Sequence, residues 1–410
     1  MRAMTRRGFV LGGAAALAAV RGRAQTAGGP VEAATSGPDH HFAGYFDRCP
    51  WDAGGRYLLV HRAAFAGRQP VAGETAAVGC IDSAAGGVFR PLGATAAWCW
   101  QLGALPGWLP GAPEREVIYN VRDGERWASV RVDVPTGRRR LLPFPVYHLH
   151  PDGTRALSLS FSRLAWTRPG YGFEGILDPR RHVAAPEDDG VYVGDLERGG
   201  CRLVVPLARV AMFRPLPEFA ESYHWVNHLL WSPDGARFVF LHRWCRAGQP
   251  RRTRLYTADG DGGNLRLLLD HQLVSHFVWR DARTLLAWAQ HPSAGTCFYL
   301  VDERTGAVAP FHKDVLVEDG HASFSPDGAW VVCDTYPDQR GMRHLFLVRV
   351  RDGARVELAR LRSPEGWHQA ARCDLHPRWS RDGARICIDS AHEKTRQVYV
   401  IDVARHVKEP

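Results

Sequence analysis

One phrase recurs along this chain: an aromatic residue, Ser, a turn written Pro-Asp-Gly or Arg-Asp-Gly, and then an apolar alternation. It stands at "NHLLWSPDGARFVFLHR" (227–243), "GHASFSPDGAWVVCDTY" (321–337) and "DLHPRWSRDGARICIDS" (374–390). Each copy carries a histidine ahead of the turn: His228, His321 and His376. Weaker copies occupy 46–62, 147–163 and 275–289, and "WCWQLGALPGWLPGAPEREVIYNVR" (98–122) supplies a seventh start with a lengthened turn. Repeats spaced at roughly 40–55 residues indicate propellers or arrays, which overrides the two or three domains that length alone would suggest.

The logic within a unit is that of a hairpin. The short run before Asp-Gly is a strand, the Gly supplies positive φ in a tight turn, and an alternation such as Arg237-Phe238-Val239-Phe240 is a second, half-buried strand. Two more strands follow where there is room, as in "HLFLVRV" and "RVELARL". Four strands per unit, repeated radially, make a β-propeller blade. The fold class expected is therefore all-β, a seven-bladed β-propeller spanning 25–410 as one domain, with eight blades as the competing count. The last unit has room for only three strands before the chain stops. A strand within "PVEAATS" (30–36) is expected to complete that blade and close the ring. A Gly-, Pro- and charge-rich insertion, 167–195, interrupts blade three and reads either as a functional lid or as a packing loop.

The N-terminal stretch "MRAMTRRGFVLGGAAALAAVRGRAQ" resembles a twin-arginine export signal. Its apolar run is too short to span a bilayer, so residues 1–24 read as a cleaved leader with no stable membrane anchor, and the expected location is the periplasm or outside the cell. Without those residues and their five arginines, the formal charge of +9 falls to +4. That balance makes no case for nucleic acid, which calls for a clustered basic face, but it leaves room for an acidic small substrate. The nine cysteines are odd in number and contain no CxxC pair, so most read as small buried residues, with one or two bridges open. A monomer is expected.

First strands line the axis of a propeller, so residues at their openings gather at one pocket. By position these are Asp47 or Cys49, Gln101, His148 or His150, Asn227 with His228, His276, His321, and Asp374 with His376. The set is rich in imidazole. The Pro-Asp-Gly units are similar to those of TolB-like propellers. Together with His276, "DGHASFSPDG" and "RCDLHPRWSRDG…RQVYVIDV", the chain resembles the oligogalacturonate lyase family of polysaccharide lyases. The resemblance implies a divalent metal, manganese first with calcium or zinc as alternatives, held by His321 and His376, and His276 as the base. Asp374 stands where that family has another histidine, and the family's glutamine ligand has no counterpart here. A carboxylate can replace a neutral ligand on a hard or borderline cation.

The chemistry this implies is β-elimination on an acidic oligosaccharide containing uronic acid. A histidine neutral near pH 7 removes the proton beside the sugar carboxylate, while a metal or arginine offsets the developing charge. Arg243 or Arg372 would neutralise the carboxylate, and Tyr336 would donate to a hydroxyl or the leaving oxygen. Asn227, His228, Gln101, Arg168 and Tyr171 would contact the sugar, with Phe173 able to stack. Each has a structural alternative: the histidines could cap strand ends, Asp374 could make an Asx turn, and the Trp98–Trp108 aromatics could be core. Two other classes compete with the lyase. They are a non-catalytic TolB-like propeller binding a glycan or protein, and a metal-dependent glycan hydrolase built on the same ring.

Overall fold

The computed structural model describes residues 30–83 and 87–407, so the leader expected over 1–24 lies outside the described residues. Seven four-stranded antiparallel sheets surround one axis. Their innermost strands are His40–Phe42, Gly107–Trp108, His148–Leu149, Tyr223–Trp231, Val274–Trp279, Ser323–Phe324 and Arg378–Trp379. The first six sheets run in chain order from the axis outward. In the seventh, Glu32–Ala33 occupies the fourth place, antiparallel to Gln397–Asp402, with Glu32 opposite Val400 and Ala33 opposite Tyr399. Among the described residues no helix is long and apolar enough to cross a membrane.

The recurring phrase is a self-capped turn. In three blades a serine hydroxyl donates to the aspartate two residues on: Ser232 to Asp234 at 2.6 Å, Ser325 to Asp327 at 2.5 Å, and Ser380 to Asp382 at 2.5 Å. The same hydroxyl accepts from the backbone N–H that opens the next strand, at Arg237, Trp330 and Arg385. Gly235, Gly328 and Gly383 all sit at φ near +70° (70°, 70° and 69°), where a side chain would be strained. The apolar alternation then places residues on both faces of each sheet, and the core lies between neighbouring blades. Leu347 and Leu361 of blade six, for example, share a cluster with Ile386 and Ile401 of blade seven. All nine cysteines are free thiols, so no bridge staples the ring.

Two stretches depart from the expected pattern. Blade one begins earlier than its repeat suggests, because its inner strand is His40–Phe42, and Tyr45 beyond it packs on His228 and His376 of blades four and seven. The insertion in blade three runs from 159 to 189, since Gly190–Asp195 is a blade strand paired with Arg155–Ser158. Its amino end forms a helix, Phe161–Thr167, capped by the Ser160 hydroxyl, which accepts from the Arg163 N–H. The loop is held by Arg163, whose buried guanidinium donates to the carbonyls of His224, Val183 and Ala184 and pairs with Asp178 at 3.3 Å. A loop anchored this way is a fixed part of the architecture.

Candidate functional site

In blades four to seven a histidine stands three residues before the inner-strand aromatic: His228 and Trp231, His276 and Trp279, His321 and Phe324, His376 and Trp379. The backbone is irregular at these positions. Pairing shifts register between Asn227 and Leu230 and between Val274 and Phe277, while His228 and His376 hold φ of +52° and +46°. Such breaks re-aim side chains and are favoured at functional sites. Here they bring the imidazoles together. The His276 and His321 ring centroids are 4.2 Å apart, and those of His321 and His376 are 4.3 Å apart.

Hydrogen bonds fix which nitrogen each ligand candidate presents. Asp334 Oδ1 accepts from His321 Nδ1 at 2.9 Å and from the His321 backbone N–H at 2.8 Å, while Asp334 Oδ2 accepts from the His376 backbone N–H at 3.1 Å. The Gly44 carbonyl accepts from His376 Nδ1 at 2.9 Å. Both rings therefore turn an Nε2 lone pair inward, and both Nε2 atoms are buried without a partner. Asp374 joins them. Arg343 lies 2.9 Å from its Oδ1, and Arg372 Nε spans both oxygens (2.9 Å to Oδ1, 2.7 Å to Oδ2) but has hydrogen-bond geometry only to Oδ1. Burial opposes ionisation of Asp374, yet the two guanidiniums outweigh it and push its pKa down to about 2. Its Oδ2 is left without a donor.

The unpartnered His321 Nε2, His376 Nε2 and Asp374 Oδ2 belong to a group whose ligand atoms lie within 4.8 Å of one another. A buried polar group with no partner costs about 1–3 kcal/mol, so three converging on one point fit a bound cation. Two imidazoles and a carboxylate suit a divalent transition metal. Around it Asp374 faces the guanidiniums of Arg343 and Arg372, while Asp319 and Asp334 pair with the imidazoles of His276 and His321.

Beside the triad, His276 Nδ1 donates to Asp319 at 2.8 Å, which leaves Nε2 as its basic nitrogen. Burial lowers the His276 pKa and Asp319 partly offsets it, so the ring is neutral near pH 7. Tyr336 closes this side, its ring centroid 6.0 Å from His321 and 6.4 Å from His276. Beneath lie Tyr45 and Phe46, from the segment that leaves blade one early. Tyr45 stacks on His228 at 4.8 Å and meets His376 edge-on at 5.0 Å, and Phe46 meets His321 at 5.2 Å.

Several residues named from sequence stand elsewhere or are already engaged. Gln101 is fully buried and braces the last inter-blade loop through the Ala370 and Arg372 carbonyls, so it does not reach a ligand. Asn227 is likewise buried, its Oδ1 accepting from the His228 N–H and from Tyr147. His228 has hydroxyls at both nitrogens, Tyr147 at 3.3 Å and Tyr45 at 3.4 Å. Arg372 is committed to Asp374 and the Gln369 carbonyl, so it is not free to neutralise a substrate. Phe173 is interior, stacked on Phe161 at 4.1 Å, and Trp98, Trp100 and Trp108 are core. His148 and Cys49 line a separate cavity of about 490 Å³ at the turn end of the axis, and His150 bonds the Gly235 carbonyl. Arg243, Arg168 and Tyr171 do share the histidine face, as described below.

Asp319, Asp334, Arg343, Tyr45 and the Gly44 carbonyl were not anticipated. The spacing of histidine to aromatic in four successive blades marks the four histidines that gather here. Asp334 comes from a second strand, Arg343 from a third, and Asp319 and Gly44 from loops, and none carries such a mark.

No family model matches the chain, and no curated protein matches it. Solved structures do. An oligogalacturonate lyase from Vibrio parahaemolyticus aligns at 14% identity and a TM-score of 0.63, over 93% of this chain and 95% of that one. An oligogalacturonate lyase in complex with manganese aligns at 17% identity and a TM-score of 0.66, over 94% of this chain and 96% of that one. TolB from Acinetobacter baumannii overlays more loosely, at 12% identity and a TM-score of 0.42 over 86% and 81%. At these identities the likeness is one of fold.

Proposed function

We propose that this protein is a metal-dependent lyase that cleaves acidic oligosaccharides containing uronic acid by β-elimination, acting in the periplasm. The observation that carries the reading is the convergence of three unpartnered ligand atoms beside a carboxylate-oriented histidine. The manganese-bound oligogalacturonate lyase of the same fold supports the choice of metal and reaction class.

His321, His376 and Asp374 would hold the cation, whose chemistry when bound is to draw charge from the substrate carboxylate and acidify the adjacent C–H. His276 Nε2 removes that proton, and Asp319 keeps the ring in the reactive tautomer and stabilises the imidazolium as it forms. The C–H electron pair becomes the new carbon–carbon double bond, and the bond to the neighbouring glycosidic oxygen breaks. Burial, followed by the charge of Asp374, holds the Tyr336 phenol in its protonated form, so it can donate to the departing oxygen. Tyr45 and Phe46 floor the site with apolar surface and keep water from His276.

The test is to incubate manganese-loaded protein with a panel of oligo-uronides and follow absorbance of the unsaturated uronate end. An absorbance rise that is lost on chelation supports the reading. New reducing ends without absorbance would make the protein a hydrolase, and no reaction with any uronide by folded, metal-loaded protein would leave a binding module.

A further inference from the structure

Three arginines on the histidine face have no counter-charge. Arg243 is 4% exposed, in a strand of blade four. Its backbone pairs with Thr253 of the next strand, which places Arg251, two residues earlier, as its diagonal neighbour on the same sheet face. Arg168 follows the insertion helix, whose Arg163 bonds the His224 carbonyl beside Trp225, the cross-strand partner of Arg243. The Arg168 guanidinium lies 4.4 Å over the ring of Tyr171, and Tyr171 meets His228 edge-on at 5.8 Å. Among the described residues, none of the three arginines makes an ion pair or a side-chain hydrogen bond. The Nε atoms of Arg243 and Arg168 are buried and unpartnered.

That arrangement is unfavourable without a ligand. Burial first, then the like charges of Arg251 and Arg168, press the Arg243 pKa down to about 9, and no carboxylate opposes them. Buried charge left unpaired is among the costlier features a fold can carry, and arginine forks are suited to bidentate capture of carboxylates. Exposure falls from Arg251, at the surface, through half-buried Arg168 to Arg243, so the three charges run from solvent inward. The insertion that supplies Arg168 packs against the loop that leads to Asp374: a Cβ on Gly170 would come within 2.1 Å of the Ala370 side chain. From Tyr171 a continuous line of rings, His228 and then Tyr45, leads to His376.

We propose that Arg168, Arg243 and Arg251 form a carboxylate subsite for the sugar next to the one undergoing elimination. The insertion in blade three thereby selects substrates with two neighbouring acidic residues over neutral or methyl-esterified ones. This rests on the lyase reading above for the role of the second sugar, but not for anion binding itself.

Calorimetry on chelator-treated full-length protein separates the two. The probes are trigalacturonate and its fully methyl-esterified form. R168Q and R251Q, both outside the core, are each expected to weaken trigalacturonate binding about 10- to 100-fold, with the ester's affinity unchanged. R243K, which keeps charge but loses the fork, should weaken it as well, and manganese affinity should be unaltered in all three. Equal affinity of wild type and the R168Q and R251Q variants for trigalacturonate would overturn the subsite, as would equal affinity for acid and ester. If the arginine variants lose binding while wild type shows no unsaturated product from any uronide, the subsite stands and the lyase reading fails.

Discussion

Asp334→Asn changes the chemistry of two atoms with little change in volume, and those atoms position both histidines of the proposed metal site. The carboxylate accepts three hydrogen bonds at Oδ1 and Oδ2 from His321 Nδ1, the His321 N–H and the His376 N–H. An asparagine offers one accepting oxygen, and its amide group cannot accept from either side. Oriented to keep the His321 bonds, it sets an N–H against the His376 N–H. Oriented the other way, it abandons His321 and frees that ring to flip its tautomer and cover the Nε2 lone pair. Either outcome forfeits at least one hydrogen bond to a charged acceptor, worth about 1.5–3 kcal/mol. Loss of such an orienting partner commonly lowers metal affinity 10- to 100-fold, which is about 1.4–2.8 kcal/mol. The assay is manganese titration by calorimetry, well below the melting temperature, on variant and wild type with matching circular dichroism. Affinity within twofold of wild type in a folded variant would refute the claim that Asp334 orients the ligands.

On the proposed mechanism, H276A should lower kcat on an oligo-uronide by about 10²–10⁴ while leaving manganese binding intact; a loss under threefold would remove His276 from the mechanism. Arg163→Met breaks the buried pair with Asp178 and four carbonyl bonds, and should cost about 3–5 kcal/mol of stability in urea unfolding; a change under 1 kcal/mol would mean the insertion is not held by it. Asp189 gives a pH signature. Burial first raises its folded pKa to about 6, above the unfolded value near 3.9, so its protonated form favours the fold. That contribution is present below about pH 4 and is lost as pH rises through about 6, amounting to about 2–3 kcal/mol. The stability of D189N relative to wild type should therefore climb by that amount between pH 4 and pH 7 in paired urea titrations, and a pH-independent difference would contradict it.

The repeat made the architecture legible because the Ser-x-Asp-Gly turn is local chemistry: the serine and aspartate cap the turn whatever surrounds them. The positions of His276, His321, Asp374 and His376 were legible for the same reason, since radial repetition turns equal positions in each blade into neighbours. Gln101, Asn227 and Arg372 were misread because nothing local distinguishes a side chain that grips a carbonyl from one that faces a ligand. The Tyr45–Phe46 floor was hidden because the first repeat was read as opening at residue 46, whereas the inner strand of blade one ends at Phe42 and the chain then leaves the sheet. Asp319 and Asp334 escaped notice because they act through the histidines, from a loop and a second strand.

The most direct test is anomalous diffraction from crystals grown with manganese. One ion bonded to Nε2 of His321, Nε2 of His376 and Oδ2 of Asp374 is the expected result. Manganese found only elsewhere, or none bound while those three atoms hydrogen-bond to water, would contradict the metal centre on which the proposed reaction depends.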